Sequence, residues 1–356
     1  MMSSDRLETL TKQAEELIQA NEYKLAISVF QQYLQIDPDN VEVLRQYGKA
    51  LTKIREFKQA LKIFEKAVVI APENIKLLSG YITVLNKLGK ATQLIDTYHK
   101  LIEIEPKNYI TINSYANVLA SIGQHDKAFQ LFERSLKIEP NNPITLNNYA
   151  NALALNEQYE TAFQLFERSL KIEPNNPITL GSYAKALASI GQYDKAFKFF
   201  EQSLQIEPNN PKTLNIYAGV LALNEQYETA FQLFERSLKI EPNNPITLGR
   251  YAKALTETGH TALQLFERLL KIESQNPITL ANYANALALV GQHEKAFQFF
   301  ERSLQIKPNN PKTLNSYANA LALDGQDETA FQLFERSLKI EPNNPGETHL
   351  IYFDKM

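Results

Sequence analysis

Apolar residues recur along this chain with a helical period, and the same signals punctuate each stripe. Between Pro143 and Asn176, the residues Leu146, Tyr149, Ala150 and Leu153 fall at i, i+3, i+4 and i+7, which predicts one face of a first helix. Asn142 suits its N-cap, and Pro143 suits its first position, where a missing N–H costs nothing. The helix is expected to stop near Asn156, a residue that tolerates the left-handed C-cap conformation. Gly123, Gly191 and Gly291 mark the stop in sister segments. A second stripe, Ala162, Phe163, Phe166, Leu170 and Ile172, predicts a second helix. Pro174 ends it, because proline disfavours a helical residue before it. Glu167 and Lys171 are spaced i, i+4 with the acid first, which supports the helix and keeps its outer face soluble.

This helix pair is one copy of a repeat. The string AFQLFERSLKIEPNNP occurs at Ala128, Ala162, Ala230 and Ala330, and the first two copies lie 34 residues apart. Residues Leu153 to Gly181 recur unchanged as Leu221 to Gly249, which points to internal duplication. Alignment on proline at position 32 divides the chain into ten units: 7–40, 41–74, 75–108, 109–142, 143–176, 177–210, 211–244, 245–276, 277–310 and 311–344. An N-terminal extension, 1–6, and a short C-terminal tail, 345–356, fall outside them.

The 34-residue helix–turn–helix period resembles the tetratricopeptide repeat. That family has small residues at positions 8 and 20, an aromatic at 24 and proline at 32, which here are Ala150, Ala162, Phe166 and Pro174. Three family positions differ. The tryptophan of position 4 is Leu or Ile, the leucine of position 7 is Tyr in nine units, from Tyr47 to Tyr317, and the alanine of position 27 is mostly Ser, as in Ser169. The resemblance implies an all-α fold, a right-handed α-solenoid superhelix of ten units. First helices would line the concave side and second helices lie outside. One pair cannot bury its stripe alone, so the units stack on their neighbours.

Three irregularities interrupt the pattern. In 75–108 both small positions are enlarged, to Ile82 and Leu94, which is expected to push that helix pair apart. The result is either a bend or subdomain border, or compensation by smaller neighbours. The 245–276 unit lacks two residues, so its inter-helix turn is expected to be shortened at His260, and it carries Ser274 where proline is expected. After Asn344 the pattern fails in an apolar segment, Leu350, Ile351, Tyr352 and Phe353. This tail folds back on the last pair, or meets a partner or a second copy, or is the trace of a longer parent.

On the expected fold, positions 2, 5, 6, 9, 12 and 13 face the groove. They supply Asn113 and Asn117, then Asn147, Asn148 and Asn151, then Asn215, Asn282, Asn285, Asn315 and Asn319. Asparagine is a poor helix former, but its amide offers both a donor and an acceptor to a peptide unit. A row of them can hold an extended peptide by its backbone. The row is similar to the asparagine ladder in the tetratricopeptide arm of O-GlcNAc transferase, although nothing here resembles that enzyme's catalytic domain. Lys185, Arg250 and Lys253 interrupt the row with charge, and Glu257 accompanies them. A secondary basic patch, Arg45, Lys49 and Lys53 at i, i+4 and i+8 with Lys87 nearby, could take an acidic side chain. The family's carboxylate clamp needs Lys and Asn, then Asn, then Lys and Arg in three successive units, and no three units here satisfy it.

Composition narrows the function. Zero Cys excludes disulfides, thiolate metal sites and a cysteine nucleophile. A net charge of −3 argues against general nucleic-acid binding. The five His are scattered; His125 and His293 occupy a position where sister units have tyrosine, which makes them turn-packing residues. No phosphate loop, paired-His metal spacing or nucleophile motif occurs, so neither catalysis nor a cofactor or metal is expected. Without a signal pattern or a membrane-length apolar run, the expectation is a soluble cytoplasmic protein that does not insert in membranes. The sequence therefore predicts a non-enzymatic scaffold that binds a peptide or protein segment in its groove. The alternative is a structural spacer or homo-oligomer that uses its end faces.

Overall fold

The computed structural model describes residues 2–260 and 262–342, and these hold twenty α-helices and no strand. The chain forms two compact units, Met1–Pro174 and Asn175–Met356. The first contains α1 (Met2–Gln19), α2 (Tyr23–Ile36), α3 (Val41–Lys53), α4 (Phe57–Ile70), α5 (Ile75–Lys87), α6 (Ala91–Ile104), α7 (Tyr109–Ser121), α8 (His125–Ile138), α9 (Pro143–Leu155) and α10 (Tyr159–Ile172). The second contains α11 (Pro177–Ser189), α12 (Tyr193–Ile206), α13 (Pro211–Leu223), α14 (Tyr227–Ile240), α15 (Pro245–Glu257), α16 (Leu263–Ile272), α17 (Pro277–Leu289), α18 (His293–Ile306), α19 (Pro311–Leu323) and α20 (Asp327–Ile340). Odd and even helices pair antiparallel across short turns. The subdomain border considered within 75–108 does not occur there, since the compact units divide after Pro174.

Each odd helix from α3 onward starts at an asparagine whose side chain accepts from the backbone two or three residues on. Asn142 accepts from Thr145 at 2.8 Å, and Asn40, Asn74, Asn108, Asn176 and Asn210 do the same. Such a cap contributes about 1 kcal/mol by satisfying an otherwise free N–H. At the other end the left-handed residue is Gly123, Gly191 or Gly291, as expected. In 143–176 it is not Asn156, which has φ −98, but Glu157, with φ 61; Glu225 repeats this at φ 61. The turn is fixed by its position after the helix, so a poorly suited residue is carried into it.

The core follows the small and aromatic positions. Ala150 and Ala162 are fully buried, which lets α9 and α10 approach closely, and Phe64, Phe132, Phe166, Phe200, Phe234 and Phe300 fill the space between pairs. Within the first unit α3 touches α5 and α7 touches α9; within the second α11, α13, α15, α17 and α19 touch in series. Successive second helices scarcely meet. First helices thus make a continuous inner layer in the second unit, and in the first they meet as two pairs, α3 with α5 and α7 with α9.

The residues that depart from the family pattern make polar links, the serines within a repeat and the tyrosines between repeats. Ser135 Oγ donates to Tyr109 O at 3.0 Å and Ser237 Oγ to Pro211 O at 3.1 Å, tying each second helix to the start of its partner. Tyr149 donates to Glu133 at 3.3 Å and Tyr251 to Glu235 at 3.1 Å, each reaching back one repeat, while the Tyr149 ring stacks on Phe132 at 5.2 Å. Glu133 and Glu235 therefore turn toward the seam, and among the described residues they form no ion pair with Lys137 or Lys239, their i+4 neighbours at the positions that Glu167 and Lys171 hold in 143–176. Arg134 and Arg236 donate to the loop carbonyls of Pro106 and Pro208 at 2.6 and 3.0 Å.

The irregular repeats behave differently from one another. Helices α5 and α6, which carry Ile82 and Leu94, meet over less of their length than the regular pairs. The two-residue deletion does not shorten the turn at His260. Gly259 keeps the left-handed position at φ 75, and His260 N donates to Leu255 O at 2.8 Å, as Gln158 N does to Leu153 O at 2.9 Å. The loss falls on α16, which has 10 residues where its counterparts have 14. It still ends at Ile272, without the missing proline. The apolar segment 350–353, and with it the expected contact face of the tail, lies outside the described residues.

Candidate functional site

In the second unit the first helices form a cleft of about 310 Å³ walled by α11, α13 and α15. It brings together Lys185, Arg250 and Lys253, as the repeat register predicts, beside the apolar Ile216 and Leu223. Gly219 opens its floor, for the Arg250 side chain crosses the space that a side chain there would fill, with Cδ 3.8 Å from the ideal Cβ position. Lys253 pairs with Glu257 at 3.3 Å. Arg250 has no ion pair among the described residues, and desolvation holds its pKa below the ordinary value. The guanidinium stays charged at any ordinary pH, so its free donors are available to an acceptor on a ligand.

The asparagines fall into two sets. Asn113, Asn147 and Asn215 are buried on the side of α7, α9 and α13 that packs between helices. The Oδ1 atoms of Asn147, Asn215 and Asn315 are buried with no hydrogen-bond partner among the described residues. Asn113 Oδ1 accepts from Asn148 Nδ2 at 3.3 Å, which links α7 to α9. Asn151 Nδ2 donates to Asn147 O at 2.9 Å within its own helix. Solvent reaches Asn117, Asn148 and Asn151 in the first unit, and Asn282, Asn285 and Asn319 in the second. Each row is flanked by apolar side chains at both ends of the helices: Ile144 and Leu155 on α9 are 60% and 65% exposed.

A second cleft lies in the first unit between α3 and α5. Arg45, Lys49 and Lys53 line it together with Lys76, Thr52, Ser79 and Thr83. Lys87, at the far end of α5, does not line it. Lys76 was not singled out from the sequence, although it occupies position 2, one of the groove positions. Phe64 forms the floor. Gly48 and Gly80 close on its ring from two sides, where added Cβ atoms would lie 2.6 and 2.7 Å from ring carbons. Arg45 is held side-on by Glu42, whose carboxyl sits below its ordinary pKa chiefly through that hydrogen bond.

The described histidines line neither of these clefts. His125 and His293 open α8 and α18 beside Phe129 and Phe297, with ring centroids 6.0 and 6.3 Å apart. His99 bonds the Tyr115 hydroxyl at 2.7 Å. Among the described residues no three His, Asp or Glu side chains converge as a metal site, and no helix is long and apolar enough to cross a membrane.

Helix pairs in fixed register, with inner first helices that carry the variable polar residues, define an α-helical repeat protein. The tetratricopeptide repeat family model matches residues 4–175 and 227–341, and a second tetratricopeptide model matches 153–218. The chain belongs to the tetratricopeptide repeat family. Repeats of this family generally mediate protein–protein interaction and are typically non-catalytic scaffolds. The model of anaphase-promoting complex (cyclosome) subunit 3 also matches, over 189–260. Among solved structures, a tetratricopeptide repeat protein from Parabacteroides merdae is 14% identical, with a TM-score of 0.66 over 70% of this chain and 99% of that one. The Cut9-Hcn1 hetero-tetramer of the APC/C is similar at 12% identity, with a TM-score of 0.59 over 96% of this chain and 81% of that one. At these identities the likeness is one of fold. No curated protein matches the chain.

Proposed function

We propose that this protein is a non-enzymatic interaction scaffold that holds an extended peptide or protein segment against its first helices. The observation that carries this reading is the cleft of α11, α13 and α15, where the unpaired Arg250 and the neighbouring Lys185 stand beside apolar Ile216 and Leu223. Directional donors next to apolar surface suit a peptide, whose backbone carbonyls and side chains need both. The solvent-facing amides of Asn285 and Asn319, and the oxygen and second N–H that Asn148 and Asn151 keep beyond their internal bonds, extend the same chemistry to other first helices, since each can satisfy an N–H and a C=O of a bound chain. The ten-repeat division over 7–344 is part of this reading, because each repeat supplies one first helix.

Peptides selected from a random display library on the full chain provide the test. Their affinity is measured by calorimetry for the wild type, a Lys185→Ala/Arg250→Ala variant, and a variant with Asn148, Asn151, Asn285 and Asn319 all changed to Ala. Loss of about 10-fold or more in either variant is expected, as at other interface anchors. Selected peptides that bind both variants as tightly as the wild type would overturn the reading. The asparagine variant should melt no lower than the wild type, because alanine is the better helix former.

A further inference from the structure

The α3/α5 cleft carries a more specific chemistry than the rest of the inner layer. We infer that it binds an extended protein segment bearing acidic side chains at every second residue. The site lies wholly in the first unit and does not rest on the asparagine-lined surface or on the Arg250 cleft.

Its lining side chains include four cations and no carboxylate. At its edge Glu42 is engaged by Arg45 and lies near enough to Lys76 to feel its charge. Lys49 and Lys53 are exposed and make no ion pair or hydrogen bond among the described residues. The whole chain carries a net charge of −3, so this local excess runs against the balance of the molecule. A ligand that neutralises it is anionic.

The other polar groups narrow the ligand. Thr52 Oγ1 donates to Gly48 O at 2.7 Å, Ser79 Oγ to Ile75 O at 2.8 Å, and Thr83 Oγ1 to Ser79 O at 3.1 Å. All three hydroxyl protons are committed to helix carbonyls, so the hydroxyls offer acceptors to the cleft. An anion therefore finds its donors only on the cations, while a peptide N–H finds acceptors on α5. That combination fits a polypeptide better than a free anion.

Spacing then sets the pattern. Arg45, Lys49 and Lys53 recur every four residues, about 6 Å along α3. Side chains on one face of an extended chain recur every two residues, at about 6.6–6.8 Å. The two ladders stay in step over the length of the cleft. A block of consecutive acids would turn half of its charges away from α3. Gly80 keeps the floor low enough for a backbone to lie there, since α5 presents no side chain over the Phe64 ring at that position.

The experiment uses the full-length protein and two labelled eight-residue peptides of the same composition, half Glu and half Ser, blocked at both ends. In one the glutamates alternate with serine; in the other they form one block. Fluorescence anisotropy at low salt is expected to show the alternating peptide binding about 5-fold more tightly or better, as expected for a few exposed ion pairs. The preference should vanish in Lys49→Gln/Lys53→Gln and persist in the control Lys212→Gln/Lys312→Gln, whose lysines are exposed at position 2 of other repeats. Unchanged melting curves show that both variants fold. Equal affinity for the two peptides, or equal loss in both variants, overturns the proposal. Peptides selected on the Arg250 cleft report on the other site and should be indifferent to Lys49→Gln/Lys53→Gln, so the two readings fail separately.

Discussion

The repeats built from α3–α6 and those built from α13–α20 solve the same stacking problem with different side chains. In the later repeats Tyr251 and Tyr317 donate to Glu235 and Glu301, and Ser237, Ser303 and Ser337 tie second helices to Pro211, Pro277 and Pro311. In the earlier ones Gln31 Nε2 donates to the Tyr47 hydroxyl at 3.0 Å, and Ala67 stands where the serine would be. Lys66 takes the arginine's place, donating to Pro38 O at 2.5 Å and pairing with Asp39 at 3.0 Å. The polar links of the seam are thus interchangeable. The buried ring at position 24 is kept, and in the early region it forces glycine at 48 and 80. Groove residues vary on their own, which is why each unit carries a cleft of distinct charge.

The largest expected effect separates the two clefts by their glycines. Gly80→Val places a Cβ 2.7 Å from Cε1 of the fully buried Phe64, so the ring or the helix must shift, while Gly48 crowds the same ring from its other side. A loss of about 3 kcal/mol is expected in urea unfolding. Gly219→Val meets only the flexible end of Arg250 at 3.8 Å, so a change within about 0.5 kcal/mol is expected. Equal losses would mean that the early repeats are not more tightly constrained at their floor.

The tyrosine seam makes the late repeats sensitive to alkaline pH, a direction that Tyr81 of the early region shares through desolvation and then Glu65. Desolvation first, and then the Glu201, Glu235 and Glu301 carboxylates, push Tyr217, Tyr251 and Tyr317 up to about 12 from an ordinary 10. The neutral phenol is favoured in the fold, so this contribution is complete below pH 10. It is lost as pH rises from 10 to 12, where the unfolded chain ionises first. Solvent around these partly exposed phenols damps the size of the effect. Melting temperature should fall across that window, and changing the three tyrosines to Phe should flatten the fall. An identical fall in the triple variant would place the alkaline sensitivity elsewhere.

Much of this was legible because duplication repeats its evidence. The Asn caps, the small and aromatic core positions and most of the cleft cations, Arg45, Lys49, Lys53, Lys185, Arg250 and Lys253, follow from register alone. What the register could not give is which way a side chain leans. Asn147 and Asn215 share their helices' groove-side spacing yet bury their oxygens, because position 5 lies at the edge where first helices touch. Lys76 joins Lys49 only once α3 and α5 are set side by side. Glu133 looks like the partner of Lys137 until Tyr149 of the next repeat comes within reach. Each of these depends on a neighbouring repeat, which a single helical wheel does not contain.

Ser237→Ala recreates in the late region what Ala67 already is in the early one. It removes the donor to Pro211 O from a fully buried site. A cost of about 1 kcal/mol in urea unfolding is expected, because the carbonyl keeps its burial and loses a partner. No measurable cost would show that this link within the helix pair is as dispensable as its absence at Ala67 suggests.

The smallest effect lies at the turns, where the same backbone conformation is met by different residues. Gly89 holds the left-handed position after α5 at φ 65, whereas after α13 Glu225 holds it at φ 61. A residue with a Cβ loses about 1–2 kcal/mol there, although glycine gives back part of that through the greater freedom of its unfolded chain. Glu225→Gly should therefore stabilise by roughly 0.5–1 kcal/mol in urea unfolding. The reverse change at the equivalent Gly291, which sits at φ 77, should destabilise by a similar amount. Opposite signs at the two sites would show that the turn conformation, fixed by the helix pair, sets the preference. Loss of stability in both would instead mean that the Glu225 side chain makes a stabilising contact of its own.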